Sequence, residues 1–194
     1  MGRTKTFDPD KALEAAVQTF RRQGYAATSI RDLGENMGIG RASLYETFGN
    51  KDEIFAAALE RYRGRSIEPM IEMLAASEDP IAGIRELLLG LARSYARKAD
   101  RYGCLMVNTV VELGPSDRQV ARVLRETWSR LEDALVDAVK RGQLAGLITA
   151  TGESRALARF LVNTFQGLGV GKKLGPDPAY VADVVDIALS VLTR

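Results

Sequence analysis

The sequence has no histidine and one cysteine. Without histidine no Ser-His arrangement can form, and no metal-ligand spacing stands in its place. An enzyme is therefore not expected, nor a metal or cofactor. One cysteine, Cys104, excludes an intramolecular disulfide framework and suits a cytoplasmic protein. Long hydrophobic runs are missing too. Charge interrupts each apolar stretch before it could span a bilayer, so no membrane segment is expected. The opening MGRTKTFDPDK lacks the apolar stretch of a secretory signal. No stretch of alternating β-branched residues lies between turn signals, which argues against sheet. A strong charge of one sign is also absent. Lys and Arg number 27 against 25 Asp and Glu, and residues 1–51 hold eight against six. A nucleic-acid partner would have to be met by charge placement, not by bulk excess.

What is present is helix. Hydrophobic residues make up 46% and charged residues 27%, enough for a real core. Asp8 followed by Pro9 reads as a cap with proline at the first helical position. Leu13, Ala16, Val17 and Phe20 mark one apolar face, and Gly24 ends the helix. Thr28 is expected to cap a second helix carrying Ile30, Leu33 and Met37. Gly38-Ile39-Gly40 makes a turn, and a third helix runs from Arg41 to Phe48. Asn50 with Glu53 forms a capping box for a long fourth helix, in which Pro69 should act as a kink or break. Asp79-Pro80 opens another helix through Ala99. Gly103 precedes a short apolar segment to Leu113. Ser116 with Gln119 reads as a further capping box, Thr151 as the next helix start, and Asp177-Pro178 as the last. The expected fold is all-α with about nine helices. Residues 1–50 form a three-helix head and residues 51–194 a larger helical body joined to it by the fourth helix.

The stretch from Thr28 to Leu59, TSIRDLGENMGIGRASLYETFGNKDEIFAAAL, has the layout of a helix-turn-helix. Gly34 is small where packing is close. Gly38 tolerates positive φ in the turn. Ile39 and Leu44 supply the apolar contacts. Arg41, Ala42, Ser43, Glu46 and Thr47 then face outward, short or polar as a groove surface requires. An ordinary three-helix bundle has similar spacing.

These residues carry a resemblance. Thr28-Ser29-Ile30-Arg31-Asp32, Gly38-Ile39, Leu44-Tyr45, Phe48 and Lys51-Asp52-Glu53 resemble the N-terminal signature of the tetracycline-repressor (TetR) family of bacterial transcription regulators. Ala15-Ala16, Phe20 and Gly24-Tyr25 extend it over about residues 8 to 60. The remainder is similar only in helical layout and length. Three departures stand out: Gly40 where a Ser commonly caps the recognition helix, Glu46-Thr47 where aromatic or His residues are frequent, and Gly49 for a common proline. The resemblance implies a homodimeric repressor that binds double-stranded operator DNA and carries a small-molecule effector pocket in its body. Carried over, Thr28 and Ser29 would meet a phosphate at a helix N-terminus. Tyr45 and Lys51 would grip the backbone. Gly40, Arg41, Ala42, Ser43, Glu46 and Thr47 would line the reading surface, with Arg41 best suited to guanine and Glu46 to a cytosine amino group. Arg3 and Lys5 would serve as a basic arm or stay a solvated terminus.

In the body, Leu157, Phe160, Leu161, Thr164, Phe165 and Leu168 recur at helical spacing, as do Val181, Val184, Val185, Ala188, Leu189 and Leu192. A helix apolar on two sides needs more than one neighbour. Phe160, Thr164, Phe165, Leu168, Val181, Val184, Val185, Ala188 and Leu192 are therefore expected in a four-helix dimer interface. The run Gly167 to Lys173 is no phosphate loop, since the earlier Gly and the Ser or Thr after Lys are missing. Its glycines are better read as letting helices approach. Tyr95, Tyr102, Asn108 and Trp128 offer polar groups among apolar walls. With Cys104, Met106, Val107 and Leu131 they form the expected effector set, although most apolar residues here should be solid core. Cys104 follows Gly103 at a helix start near Arg101, a setting of reactive thiols. Gly103 to Asn108 is similar to a segment in a TetR subgroup, some of whose members sense electrophiles or oxidants. The alternative is a small buried hydrophobe.

Overall fold

The computed structural model describes residues 7–95, 102–114, 116–175 and 177–193. The described residues form ten α-helices and no strand. Helix α1 (Pro9–Gln23) starts where the Asp8 carboxylate accepts from the backbone N–H groups of Asp10 and Lys11. It buries Ala12, Ala16, Val17 and Phe20, one helical stripe. Helices α2 (Ile30–Met37), α3 (Arg41–Phe48) and α4 (Lys51–Tyr62) follow. A π-helical turn (Arg63–Ile67) then leads into α5 (Glu68–Ala76). Next come α6 (Pro80–Tyr95), α7 (Leu105–Leu113), α8 (Arg118–Leu144) and α9 (Ser154–Gly171). A 3₁₀ turn (Lys172–Leu174) precedes α10 (Pro178–Thr193).

Three expectations need correction. Ser29, not Thr28, caps α2: its hydroxyl accepts from the Asp32 N–H while the Asp32 carboxylate takes the Ser29 N–H. Thr28 is turned inward, its hydroxyl donating to the Gly24 carbonyl. Asp117, not Ser116, caps α8, because a carboxylate can accept from both Gln119 and Val120. Glu153, not Thr151, caps α9 in the same way, through Arg155 and Ala156. The break expected at Pro69 is present, as a change of helix type rather than a kink. Pro69 sits in the first turn of α5, and the chain widens into the π turn just before it. A proline has no N–H and its ring crowds the carbonyl four residues back, so a wider turn relieves the clash.

Among the described residues, two apolar clusters hold the fold together. One gathers α1 to α4 around Phe20, Leu33, Leu44 and Phe55, and takes in Cys104, Leu105, Met106 and Val107 from the start of α7. Phe20 and Phe55 meet edge to face at 4.8 Å. Truncating such a buried ring to alanine costs about 3–5 kcal/mol. The other gathers α5, α6, α8, α9 and α10 around Leu88, Leu135, Leu161 and Phe165. Trp128 and Ile71 pack against both. Helix α7 is tied to the head at both ends. Arg21 donates from Nε and Nη2 to the Gly103 carbonyl at 3.2 and 2.9 Å. The Glu112 carboxylate accepts from the N–H groups of Tyr25 and Ala26 at 2.9 and 2.7 Å.

The expected dimer residues divide. Phe165, Leu168, Val181, Val185, Ala188 and Leu192 are buried in the chain's own core, because the inner sides of α9 and α10 face α6 and α8. Phe160 is exposed, and Thr164 and Val184 are half-buried. The outward apolar residues of these helices are Phe160, Val170, Tyr180, Ile187 and Val191. Gly169 lies within van der Waals reach of Val107 and Cys104, so one glycine of the 167–173 run does bring α9 close to α7. No helix among the described residues is long and apolar enough to cross a membrane.

Candidate nucleic-acid interface

The turn between α2 and α3 is built by its glycines. Gly38 adopts φ 69° and ψ 29°, the left-handed region. The Ile39 N–H then reaches back to the Gly34 carbonyl at 3.0 Å. A Cβ on Gly34 would lie 3.1 Å from the Ile39 carbonyl oxygen. The small residue in α2 is therefore demanded by the turn itself. Ile39 and Leu44 are buried, pinning α3 to the head's core.

Only Leu44 of α3 is buried. Arg41, Ala42, Tyr45 and Glu46 are exposed, and Ser43 and Thr47 are half-buried. The Arg41 guanidinium lies 5.7 Å from the Tyr45 ring, so the two side chains share one side of the helix. Gly40 caps α3 with no side-chain hydrogen bond, and space for a Cβ is open there. Ser29 and Arg41 border one groove between α2 and α3, with Arg31 and Glu35. Arg31 belongs to the Thr28–Asp32 signature, which gives it no contact role of its own. Its exposed pairing with Glu35 at 2.8 Å leaves it near the same surface. Only folding puts it beside Arg41.

The flanking residues are less uniform. The Thr28 side chain is buried and its hydroxyl engaged, so the expected phosphate contact through that hydroxyl is not available. Ser29 remains exposed, but its hydroxyl and N–H both meet Asp32, whose carboxyl these bonds hold below its ordinary value. Lys51 is half-buried with Nζ 4.2 Å from the Tyr25 ring and 3.5 Å from the Ala26 carbonyl. Tyr25 in turn hydrogen-bonds Asp52, which with burial pushes its phenol up to about 12. Arg3 and Lys5 lie outside the described residues.

Of the expected effector set, Met106 and Leu131 are fully buried in solid core, and Val107 is nearly so. Tyr102 and Asn108 are half-buried, and the Asn108 amide donates to the Tyr102 carbonyl. The Trp128 indole N–H is buried with no acceptor among the described residues. The Tyr95 side chain and Arg101 lie outside them. Cys104 lines a cavity of about 290 Å³ between α1, α4, the π turn and the start of α7. Burial, then Cys104 beside it, holds the Tyr62 phenol well above its ordinary value, so that hydroxyl stays protonated in the cavity wall. Arg21, Arg61, Arg65 and Lys172 also line this cavity and no sequence motif announced them.

Comparison with known proteins agrees with this geometry. Residues 12–58 match the family described as "Bacterial regulatory proteins, tetR family", and residues 80–188 match "Tetracyclin repressor-like, C-terminal domain". The chain is 33% identical to the uncharacterized HTH-type transcriptional regulator YezE of Bacillus subtilis, over 99% of this chain and 100% of that protein. It is 31% identical to the HTH-type transcriptional repressor ComR of Escherichia coli, over 90% and 83% of the two chains. Among solved structures it superposes on a cysteine mutant of the TetR family regulator CifR complexed with 26-bp double-strand operator DNA. That match has a TM-score of 0.87 at 28% identity, covering 98% of this chain and all of the other. Escherichia coli NemR in its reduced form shares the fold, with a TM-score of 0.83 at 17% identity. With both halves matched and the glycine-built turn in place, the chain belongs to the TetR family of bacterial regulatory proteins.

Proposed function

We propose that the protein is a transcriptional repressor that binds a near-palindromic operator as a homodimer and leaves it when a small molecule binds the body. The observation that carries this reading is α3. One buried leucine anchors it, and its polar outer side is turned to solvent beside the Ser29–Arg41 groove. Arg41, Ala42, Ser43, Glu46 and Thr47 face base edges, and Ser29, Tyr45 and Lys51 position the head on phosphates. The CifR neighbour was solved on operator DNA, which supports DNA as the partner. Dimerisation is supported by the outward apolar side of α9 and α10, from Phe160 to Val191. Two copies joined there would hold their α3 helices roughly 34 Å apart, one turn of duplex. Residues 1–50 act as the reading head and residues 51–194 as the responding body, in the cytoplasm where the DNA lies.

Release follows if the ligand prefers a head spacing that no longer fits the operator. The α4–π–α5 segment is the lever, since it leaves the head's core and enters the body's. The test is binding of the full chain to DNA upstream of its own gene at two salt concentrations. Nanomolar, salt-sensitive binding that competitor DNA does not abolish is expected. Equal, weak binding to any duplex contradicts the reading. A second reading, covalent induction, is favoured by Cys104 lining a cavity that a small electrophile can enter. A Cys104→Ser variant that still releases DNA on oxidant treatment ends it.

A further inference from the structure

The cavity beside Cys104 is bordered, among the described residues, by four cations and one carboxylate: Arg21, Arg61, Arg65 and Lys172 against Glu14. Arg21 and Lys172 are buried, and Arg65 stands largely exposed at the mouth. A concave wall with cations in excess focuses a positive field on whatever enters. The remaining wall includes Val17, Met70 and the Tyr62 ring, which suit a compact apolar body.

Glu14 shows what these cations prefer. Its Oε2 accepts from Arg61 Nε at 3.2 Å and Arg65 Nη1 at 3.0 Å, while Asp10 takes Arg61 Nη1 at 2.8 Å. Burial raises the Glu14 carboxyl, but the bonds from Gln18 and Arg61 and the charges of Arg65 and Arg61 outweigh it, and the group stays ionised. Two carboxylates, Glu14 and Asp10, thus serve two guanidiniums that have further N–H groups to give. These same bonds fasten α1 of the head to α4 and the π turn.

We propose that this cavity binds a small organic carboxylic acid with an apolar body, and that its carboxylate takes Arg61 and Arg65 from Glu14. The inference deepens, and rests on, the reading of the chain as a ligand-responsive regulator. Drawing the two arginines inward loosens α1 from α4. It also disturbs Arg21, which holds the Gly103 carbonyl at the head of α7, the helix whose far end grips the Tyr25–Ala26 turn through Glu112.

The test is calorimetric titration of the full chain with benzoate and with benzamide, alike in shape and different in charge. Benzoate is expected to bind at least about tenfold more tightly. Arg65→Gln, a change at an exposed side chain, weakens benzoate several-fold and leaves benzamide alone. Glu14→Gln tightens benzoate, because it removes the competing carboxylate. Equal affinity for the two probes, absent binding of both, or benzoate affinity indifferent to Arg65→Gln and Glu14→Gln overturns the proposal. Operator binding measured on the same protein without ligand separates the two failures. Intact DNA binding with no charge preference sinks the carboxylate site alone, and lost DNA binding sinks the regulator.

Discussion

Two of the exposed surfaces among the described residues differ in kind. The outer side of α3 is short, polar and charged, with Arg41, Ala42, Tyr45 and Glu46 exposed. The outer side of α9 and α10 is apolar, with Ile187 65%, Val170 51% and Tyr180 51% exposed. Water solvates the first at no cost, so nothing about folding requires it to be covered. The second loses free energy for every apolar area left wet, at about 25 cal/mol per Å². The contrast teaches that one chain carries two surface chemistries, a directional polar one and a non-directional apolar one; under the proposed function the first meets base edges and phosphates and the second meets another copy of the chain.

The comparison is broken hardest at Ile187. Ile187→Glu places a charge on the apolar side of α10 without touching the internal core. It should leave the helical circular-dichroism spectrum unchanged, yield monomers in sedimentation, and weaken operator binding by roughly 100-fold or more, since the linked second half-site is lost. Arg41→Ala attacks the other surface. The dimer should persist while operator affinity falls by about 1–3 kcal/mol, read by fluorescence anisotropy, with the loss confined to specific sequence. Glu112→Ala cuts a strut between the two regions. Two backbone N–H groups lose a charged acceptor, and thermal or urea unfolding should show a loss of about 1–2 kcal/mol. Gly40→Ser sharpens the contrast gently. It adds a hydroxyl cap to α3 where a Cβ meets nothing within 4 Å, for a gain of a few tenths of a kcal/mol in urea unfolding.

The head was legible in the sequence because local rules govern it. Pro9 after Asp8, Gly38 in a left-handed turn, and Asn50 with Glu53 each act within four residues, and each stands where expected. Where two neighbouring polar residues competed for a cap, sequence alone chose wrongly, as at Thr28 against Ser29. The winner depends on which side chain the tertiary fold turns inward. The body was legible only as helix. Its apolar stripes on α9 and α10 were visible, but which side faces α6 and α8 is a long-range property. Phe165, Leu168 and Val185 consequently proved internal, and Ile187 and Tyr180 outward. The cavity at Cys104 draws on residues from 14 to 172, and no local pattern could assemble them.

The central claim is that the apolar surface of α9 and α10 holds two polar α3 surfaces at the pitch of duplex DNA. Hydroxyl-radical footprinting of the operator complex, with its mass measured by native spectrometry, tests it most directly. Two chains per operator and protected half-sites centred about one helical turn apart, roughly 34 Å, are predicted. One chain per operator, or protection of a single half-site, would contradict it.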